Sequence, residues 1–246
     1  ALRPPGSSIK PLMYSLALER GRSAASVIDD SPVVFKISDT ESYRPVNYDG
    51  KFHGRVTLRS ALANSYNIPA VKTLQALGVD SFIEHARKLG ISTWIDSSRY
   101  GLSLTLGGGE VTMLDMAKSY GVFANLGSRV DLDPFISVSS LENSKIYEHN
   151  VRKYPVLSEG SAYVITDILS DNVARQSAFG PGSLLDIPGY KVAVKTGTTD
   201  SKKDNWTIGY TPEFLVTVWV GNNDNAPMNQ ALASGVTGAA PIWHRV

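Results

Sequence analysis

The sequence predicts an α+β domain, with helices gathered in the first two thirds and an antiparallel sheet in the last. Two observations carry this. Helix signals, apolar residues spaced three and four apart behind polar caps, recur from near residue 7 to near residue 169. Three strand patterns then follow one another, Val192–Thr198, Trp206–Thr211 and Phe214–Gly221, the last pair turning at Pro212-Glu213. Strands grouped together, and not alternating with helices, point away from a parallel α/β sheet.

Taken in order, the first helix runs from about Ser7 to Arg20. Gly6 and Ser7 open it, Pro11 sits in the first turn where its missing N–H costs little, and Gly21 ends it. Residues 22–56 are rich in Asp, Ser, Pro, Gly and Tyr with little periodicity, which reads as an extended surface segment with one short strand at Val33–Ile37. Thr57 caps a helix through Asn64, and Pro69 opens another that stops at Gly78. Ser81-Phe82-Ile83-Glu84 is a capping-box pattern for a helix ending at Gly90. Thr112-Met113-Leu114-Asp115 is a second one, opening a helix to about Ala124 with Leu114, Ala117, Tyr120 and Phe123 inward. Residues 134–148 alternate as a hairpin around Glu142-Asn143-Ser144. Ser158 caps a helix whose apolar stripe is Ala162, Ile165, Ile168 and Leu169.

Composition narrows the function. A chain of 246 residues, 42% hydrophobic and 19% charged, has ample core for one large domain. A formal net charge of +1 leaves no basic footprint for nucleic acid. The absence of cysteine excludes a disulfide scaffold and thiolate metal or redox sites. His53, His85, His149 and His244 show no metal spacing and read as surface or interface residues, so neither metal nor cofactor is expected. No apolar run approaches the roughly 20 residues that span a bilayer. The start, Ala1-Leu2-Arg3-Pro4-Pro5, is neither a signal peptide nor an initiator sequence, which predicts a chain cut from something longer.

Three short motifs carry chemistry. In Ser7-Ser8-Ile9-Lys10, hydroxyl and amine lie three apart, on one face of a helix. A serine becomes a nucleophile when a base takes its proton, and a lysine is a base when its pKa is lowered. Burial and a second ammonium, with Lys195 as the candidate, would lower that of Lys10. The helix start also leaves the Ser7 N–H unpaired and free to hold an oxyanion. In Ser65-Tyr66-Asn67, between two helices, Ser65 suits a proton relay to a leaving amine, and Asn67 offers a donor and an acceptor to a substrate amide. In Lys195-Thr196-Gly197-Thr198, strand alternation sends Lys195 and Gly197 to one face and Thr196 and Thr198 to the other, and Gly197 admits a close substrate backbone. The chemistry implied is acyl transfer through a serine ester. Ser170-Asp171-Asn172 also fits Ser-x-Asn, but it falls at a helix end close before Lys195 and reads as a C-terminal cap.

The ordered set resembles that of penicillin-binding proteins and serine β-lactamases, and its surroundings are similar to class A penicillin-binding proteins. These are Arg3–Pro11, Asn47-Tyr48-Asp49-Gly50 leading into Val56–Val71, Leu106-Gly107-Gly108-Gly109-Glu110-Val111-Thr112, Lys195–Thr199 and Asn205–Pro212. The resemblance covers nearly the whole chain. It implies the penicillin-binding transpeptidase, or serine β-lactamase-like, fold: a single partial domain over 1–246, with a helical part at about 57–133 and a strand-rich part at about 191–222. It further implies a D,D-transpeptidase that cross-links peptidoglycan stem peptides ending in D-Ala-D-Ala and is acylated by β-lactams. Ser7 would be the nucleophile, Lys10 the base, Ser65 and Lys195 the relay, and Asn67 a substrate anchor. Thr196 and Thr198 would bind the terminal carboxylate beside Gly197, and the N–H groups of Ser7 and Thr198 would form the oxyanion hole. The location implied is the outer face of a bacterial cytoplasmic membrane, reached through upstream segments that in class A members include an anchor and a glycosyltransferase domain.

Against that family pattern the chain reads as truncated at both ends, since a strand hairpin is expected before the nucleophile helix and only six residues precede Ser7. A β-lactamase of the common kind needs a Glu-x-x-Leu-Asn base, and Glu84, Glu110, Glu142, Glu148 and Glu159 are in no such context. A D,D-carboxypeptidase shares every motif, and a penicillin sensor without turnover is the reading from another class. A P-loop needs glycine before the lysine, where Val194 stands.

Overall fold

Helix α1 (Lys10–Glu19) is the centre of the structure, a computed structural model that describes residues 1–36, 40, 42–199, 202–229 and 234–246. Every residue from Lys10 to Ala17 is buried, and a helix enclosed on all sides must be packed by other elements all round. Those elements are the helices that follow and the turn that precedes it.

Residues 22–56 are more ordered than their composition suggests. Strand β1 (Val27–Asp30) pairs antiparallel with β4 (Gly54–Thr57), and between them lie the short β2 (Phe35–Lys36) and β3 (Ser42–Tyr43). The strand expected at Val33–Ile37 is thus seen at Phe35–Lys36, with Ile37 outside the described residues. The β1–β4 ribbon buries Ile28, Asp30 and Val56, so it is not purely a surface segment.

Four helices follow. Thr57 caps α2 (Leu58–Ala63), its hydroxyl accepting from Ser60 N at 3.1 Å. Helix α3 (Asn67–Leu77) begins two residues before Pro69, which sits in its first turn. Helix α4 (Val79–Leu89) starts directly from Gly78 and ends at Gly90. The capping box read at Ser81–Glu84 does not form. Gly78, at φ 85°, is the cap, and Glu84 instead reaches Lys88 one turn on at 2.8 Å. The box at Thr112–Asp115 does form and opens α5 (Met113–Ala124). Its buried face is Met116, Ser119, Tyr120, Val122 and Phe123, and Leu114, expected inward, is 63% exposed.

Two ribbons come next, β5 (Ser128–Val130) with β8 (Lys153–Pro155), and the exposed hairpin of β6 (Ser137–Ser139) and β7 (Lys145–Glu148) turning at Asn143. Ser158 caps α6 (Glu159–Leu169), which buries the stripe Ala162, Ile165, Ile168 and Leu169, and the short α7 (Gln176–Phe179) follows. The sheet of β9 (Ala193–Thr198), β10 (Asp204–Tyr210) and β11 (Leu215–Gly221) has the order β11-β10-β9. Ala193, Ile208 and Tyr210 join the main core with α1 and α5, while Val194 joins a smaller core on the other face. That face is closed by α8 (Ala240–Arg245), whose Trp243 indole lies where a side chain at Gly209 would stand. Among the described residues no helix is long and apolar enough to cross a membrane.

Candidate active site

Ser7 lies in a single 3₁₀ turn, Gly6–Ile9, that runs into α1. The chain here is held by glycines. Gly6 has φ 55°, a left-handed value that suits glycine, and an added Cβ would stand 2.7 Å from Thr198 O. A Cβ on Gly107 (φ 91°) would overlap Gly6 N, and one on Gly197 would overlap Pro5 O and meet Ser8 N at 3.0 Å. The backbone that Gly197 admits on this side is the protein's own Pro5–Ser8. Two long-range bonds fix the same turn: Tyr120 Oη donates to Ser8 O at 2.6 Å, and Trp206 Nε1 to Pro4 O at 2.9 Å.

The second motif is a helix ending. Ser65 N donates to Leu62 O (3.1 Å) and Tyr66 N to Ala61 O (3.0 Å), the two reverse bonds of a Schellman cap, with Ser65 in its left-handed position at φ 60°. Glycine is the ordinary occupant there, and a side chain costs about 1 kcal/mol. Strain of this kind persists where a site needs the side chain. Because α2 stops this way, the carbonyls of Ser65 and Tyr66 turn inward instead of pairing along a helix.

Those carbonyls receive Lys10. Its Nζ donates to Ser65 O at 2.6 Å, Asn67 Oδ1 at 2.7 Å and Tyr66 O at 3.2 Å, with Ser65 Oγ at 3.4 Å. Lys195 reaches Ser65 from the sheet, Nζ to Oγ at 2.8 Å, and also donates to Thr196 O at 2.8 Å. Burial pushes the Lys195 amine down to about 7, and the nearby Arg175 charge adds to the fall. The cation that acts on Lys195 is Arg175. Ser65 Oγ stands between both lysines.

Strand β9 is a sheet edge, and its pairing decides where its amides point. Thr199 N donates to Asp204 O at 3.1 Å. Antiparallel pairs alternate, so the next pair, Thr198 with Asn205, turns the Thr198 N–H out of the sheet toward the Ser7 turn. Thr198 N is 2.9 Å from the point a Gly6 Cβ would occupy. The Thr198 hydroxyl accepts from Gly235 N at 2.7 Å, which leaves its own proton to give.

Ser7, Ser65, Asn67, Thr196 and Thr198 line one cavity of about 220 Å³. Lys10 and Lys195 lie just beneath it, buried. The residues of all three motifs are thus brought to one place. Ser170 is not among them: it ends α6, its hydroxyl bonded to Thr166 O at 2.9 Å, as its position suggested. Among the described residues no group of three or more His, Asp or Glu is placed to hold a metal.

Several residues of the site lie outside the three chemical motifs. Tyr48, Asp49, Ser177, Phe179, Ser234 and Val236 complete the wall. Asn64, the last residue of α2's cap, ties the α7 segment down through Ala174 O (2.8 Å) and Ala178 N (3.0 Å). Tyr66 is both cavity wall and buried ring. Two histidines depart from the surface reading. His53 stacks on Tyr66 with ring centroids 3.9 Å apart, and His85 is buried against Ser15 Oγ at 2.8 Å.

Known proteins share this fold. The penicillin binding protein transpeptidase domain family matches residues 2–244. Penicillin-binding protein 1A of Aquifex aeolicus (strain VF5) is 39% identical over 246 residues, covering 99% of this chain and 32% of that protein. The crystal structure of penicillin-binding protein 1A from Haemophilus influenzae superposes with a TM-score of 0.84 at 25% identity, over 99% of this chain and 41% of that one. The imipenem acyl-enzyme of penicillin-binding protein A from M. tuberculosis has the same fold, with a TM-score of 0.81 at 23% identity over 99% and 59%. The chain spans about a third of the length of the curated relatives it matches.

Proposed function

The chain belongs to the penicillin-binding protein transpeptidase family, a family of serine acyl-transfer enzymes, and on that premise we propose that it cross-links peptidoglycan as a D,D-transpeptidase. The observation that supports it most is the meeting of Lys10 and Lys195 on Ser65 beside Ser7.

Ser7 Oγ attacks the carbonyl between the terminal D-alanines of a donor stem peptide, and Lys10 takes its proton. The N–H groups of Ser7 and Thr198 hold the oxyanion, an arrangement worth several kcal/mol in the transition state. Ser65 and Lys195 relay a proton to the departing D-alanine nitrogen as the C–N bond breaks. Asn67 anchors the peptide amide, and the hydroxyls of Thr196 and Thr198 bind the terminal carboxylate. The amine of a second stem peptide then attacks the ester and frees Ser7. β-Lactams, which resemble the D-Ala-D-Ala end, acylate the same oxygen. In the whole protein this domain works outside the cytoplasmic membrane, held there by an anchor and joined to a glycosyltransferase domain, in a bifunctional class A enzyme.

Mass spectrometry after penicillin treatment tests the reading. A single adduct on the peptide containing Ser7, absent from Ser7→Ala, is expected; an adduct elsewhere, or equal labelling of Ser7→Ala, overturns it. Donor and acceptor peptides supplied together should give cross-linked product, and D-alanine release without it would mark a carboxypeptidase.

A further inference from the structure

Beneath the second motif lies a buried carboxylate with no part in the steps above. Asp30, at the end of β1, is fully buried. Both its oxygens accept from Asn47 Nδ2, at 2.9 and 2.8 Å, and Oδ2 also accepts from His53 N at 3.1 Å and lies 2.6 Å from His53 Nδ1. A buried carboxylate is costly unless its lone pairs are filled, and here they are filled by two residues that both lead to the cavity.

Asn47 leads to Asn67. With its NH2 group committed to Asp30 and to Lys51 O (2.8 Å), its Oδ1 is turned to α3, where it accepts from Asn67 N at 2.8 Å and Ile68 N at 3.2 Å. Those are first-turn N–H groups, which lack intrahelical partners, and Tyr66, the residue before them, gives no side-chain cap. The neighbouring Val46 O accepts from Asn67 Nδ2 at 2.8 Å. That bond fixes which way the Asn67 amide faces, so that Oδ1 meets Lys10 and one N–H remains for a ligand. His53 leads to Tyr66, on which its ring stacks at 15°, and to Asp49 on the cavity wall, Nε2 to Oδ2 at 3.1 Å.

We propose that Asn47, held on Asp30 with His53, is a positioning residue that fixes Asn67 and with it the seat of Lys10. Asn47 caps the helix from a distance of 20 residues, in place of the local cap the sequence omits. The inference rests on the acyl-transfer reading, since it concerns the efficiency of that site.

A double-mutant cycle tests it in the protein as its gene encodes it, read as the limiting rate of acylation by a fluorescent penicillin. Asn47→Ala is expected to slow acylation about tenfold or more, and Asn47→Ala with Asn67→Ala to be no slower than Asn67→Ala alone, because one residue acts through the other. Thr112→Ala, which removes the remote cap of α5, controls for lost stability and should acylate as wild type does. If the two asparagine effects multiply, or if Asn47→Ala is no slower than Thr112→Ala, the proposal is overturned. Should Asn47→Ala fail to accumulate, Asn47→Ser, too short to bridge Asp30 and α3, carries the same cycle with the same outcomes. Wild type that takes no label while folded refutes the acyl-transfer reading itself, and this inference with it; labelled wild type with an unaffected Asn47 variant refutes the inference alone.

Discussion

Lys195 Nζ meets Ser65 Oγ at 2.8 Å, and the serine it meets is held at φ 60° in a helix cap built for glycine. The fold bears that strain to put a hydroxyl between two buried lysines. Ser65→Gly and Ser65→Ala should therefore differ in stability and agree in activity. Both lose the hydroxyl, and penicillin acylation should fall on the order of 100-fold or more. Glycine relieves the strain, so Ser65→Gly should be more stable than Ser65→Ala by about 1 kcal/mol in urea unfolding. Acylation at the wild-type rate by either variant would remove Ser65 from the relay.

Lys195 should also govern how stability changes in alkali. Its amine is pushed down to about 7 by burial and by Arg175, against an ordinary 10.5 in the unfolded chain. Between those values the unfolded chain keeps a proton that the native state has released, so stability rises with pH across that window. The penalty is fully present below pH 7. Lys195→Met is thus expected to stabilise the protein at pH 6 by a few kcal/mol more than at pH 10. Denaturant unfolding at the two pH values checks this, and an equal effect at both would contradict it.

His85 should shape the acid limb. Burial holds it down to about 4, against 6.5 when unfolded. As pH falls through that interval the unfolded chain gains a proton the native imidazole refuses, and stability is lost. His85→Gln should lose less stability than wild type between pH 6.5 and pH 4, the difference being roughly 3 kcal/mol. Parallel thermal-unfolding curves for the two proteins would show the prediction to be wrong.

Two glycine substitutions separate backbone strain from displacement of Ser7. Gly21→Ala (φ 86°) meets no atom within 4 Å, so it should cost about 1 kcal/mol and leave acylation alone. Gly107→Ala combines φ 91° with overlap at Gly6 N. It should cost about 2 to 4 kcal/mol and slow acylation as well, because the turn bearing Ser7 must move. Equal acylation by the two variants would deny the Gly107–Gly6 contact a role in placing Ser7.

Local signals are legible where local physics decides. The caps at Thr57, Thr112 and Ser158 and the stripe of α6 stand as the sequence suggested, since cap and periodicity lie within one turn of each other. The box at Ser81 failed because Gly78 starts α4 earlier, and the start of α3 moved to Asn67 because Asn47, far off in sequence, supplies its cap. Ser7, Lys10, Ser65, Asn67 and Lys195 were legible as strings with chemistry in them. Asp30 and Arg175 were not, and Asn47 stood out only as part of a stretch resembling a family: all three gain their roles from what packs on them. Gly197 was legible as a close approach, but the approaching backbone belongs to residues the pattern could not bring near.

The packing of Gly6 on Thr198 has a consequence in time. On the ribosome the turn bearing Ser7 emerges well before β9, the strand that completes its surroundings. Until then Ser7 has neither the Thr198 N–H of β9 nor Lys195 nearby. Contacts of such long sequence separation form slowly, and the cleft stays incomplete until β9 has been made. Penicillin labelling should for that reason report completed folding and miss every intermediate that lacks the sheet.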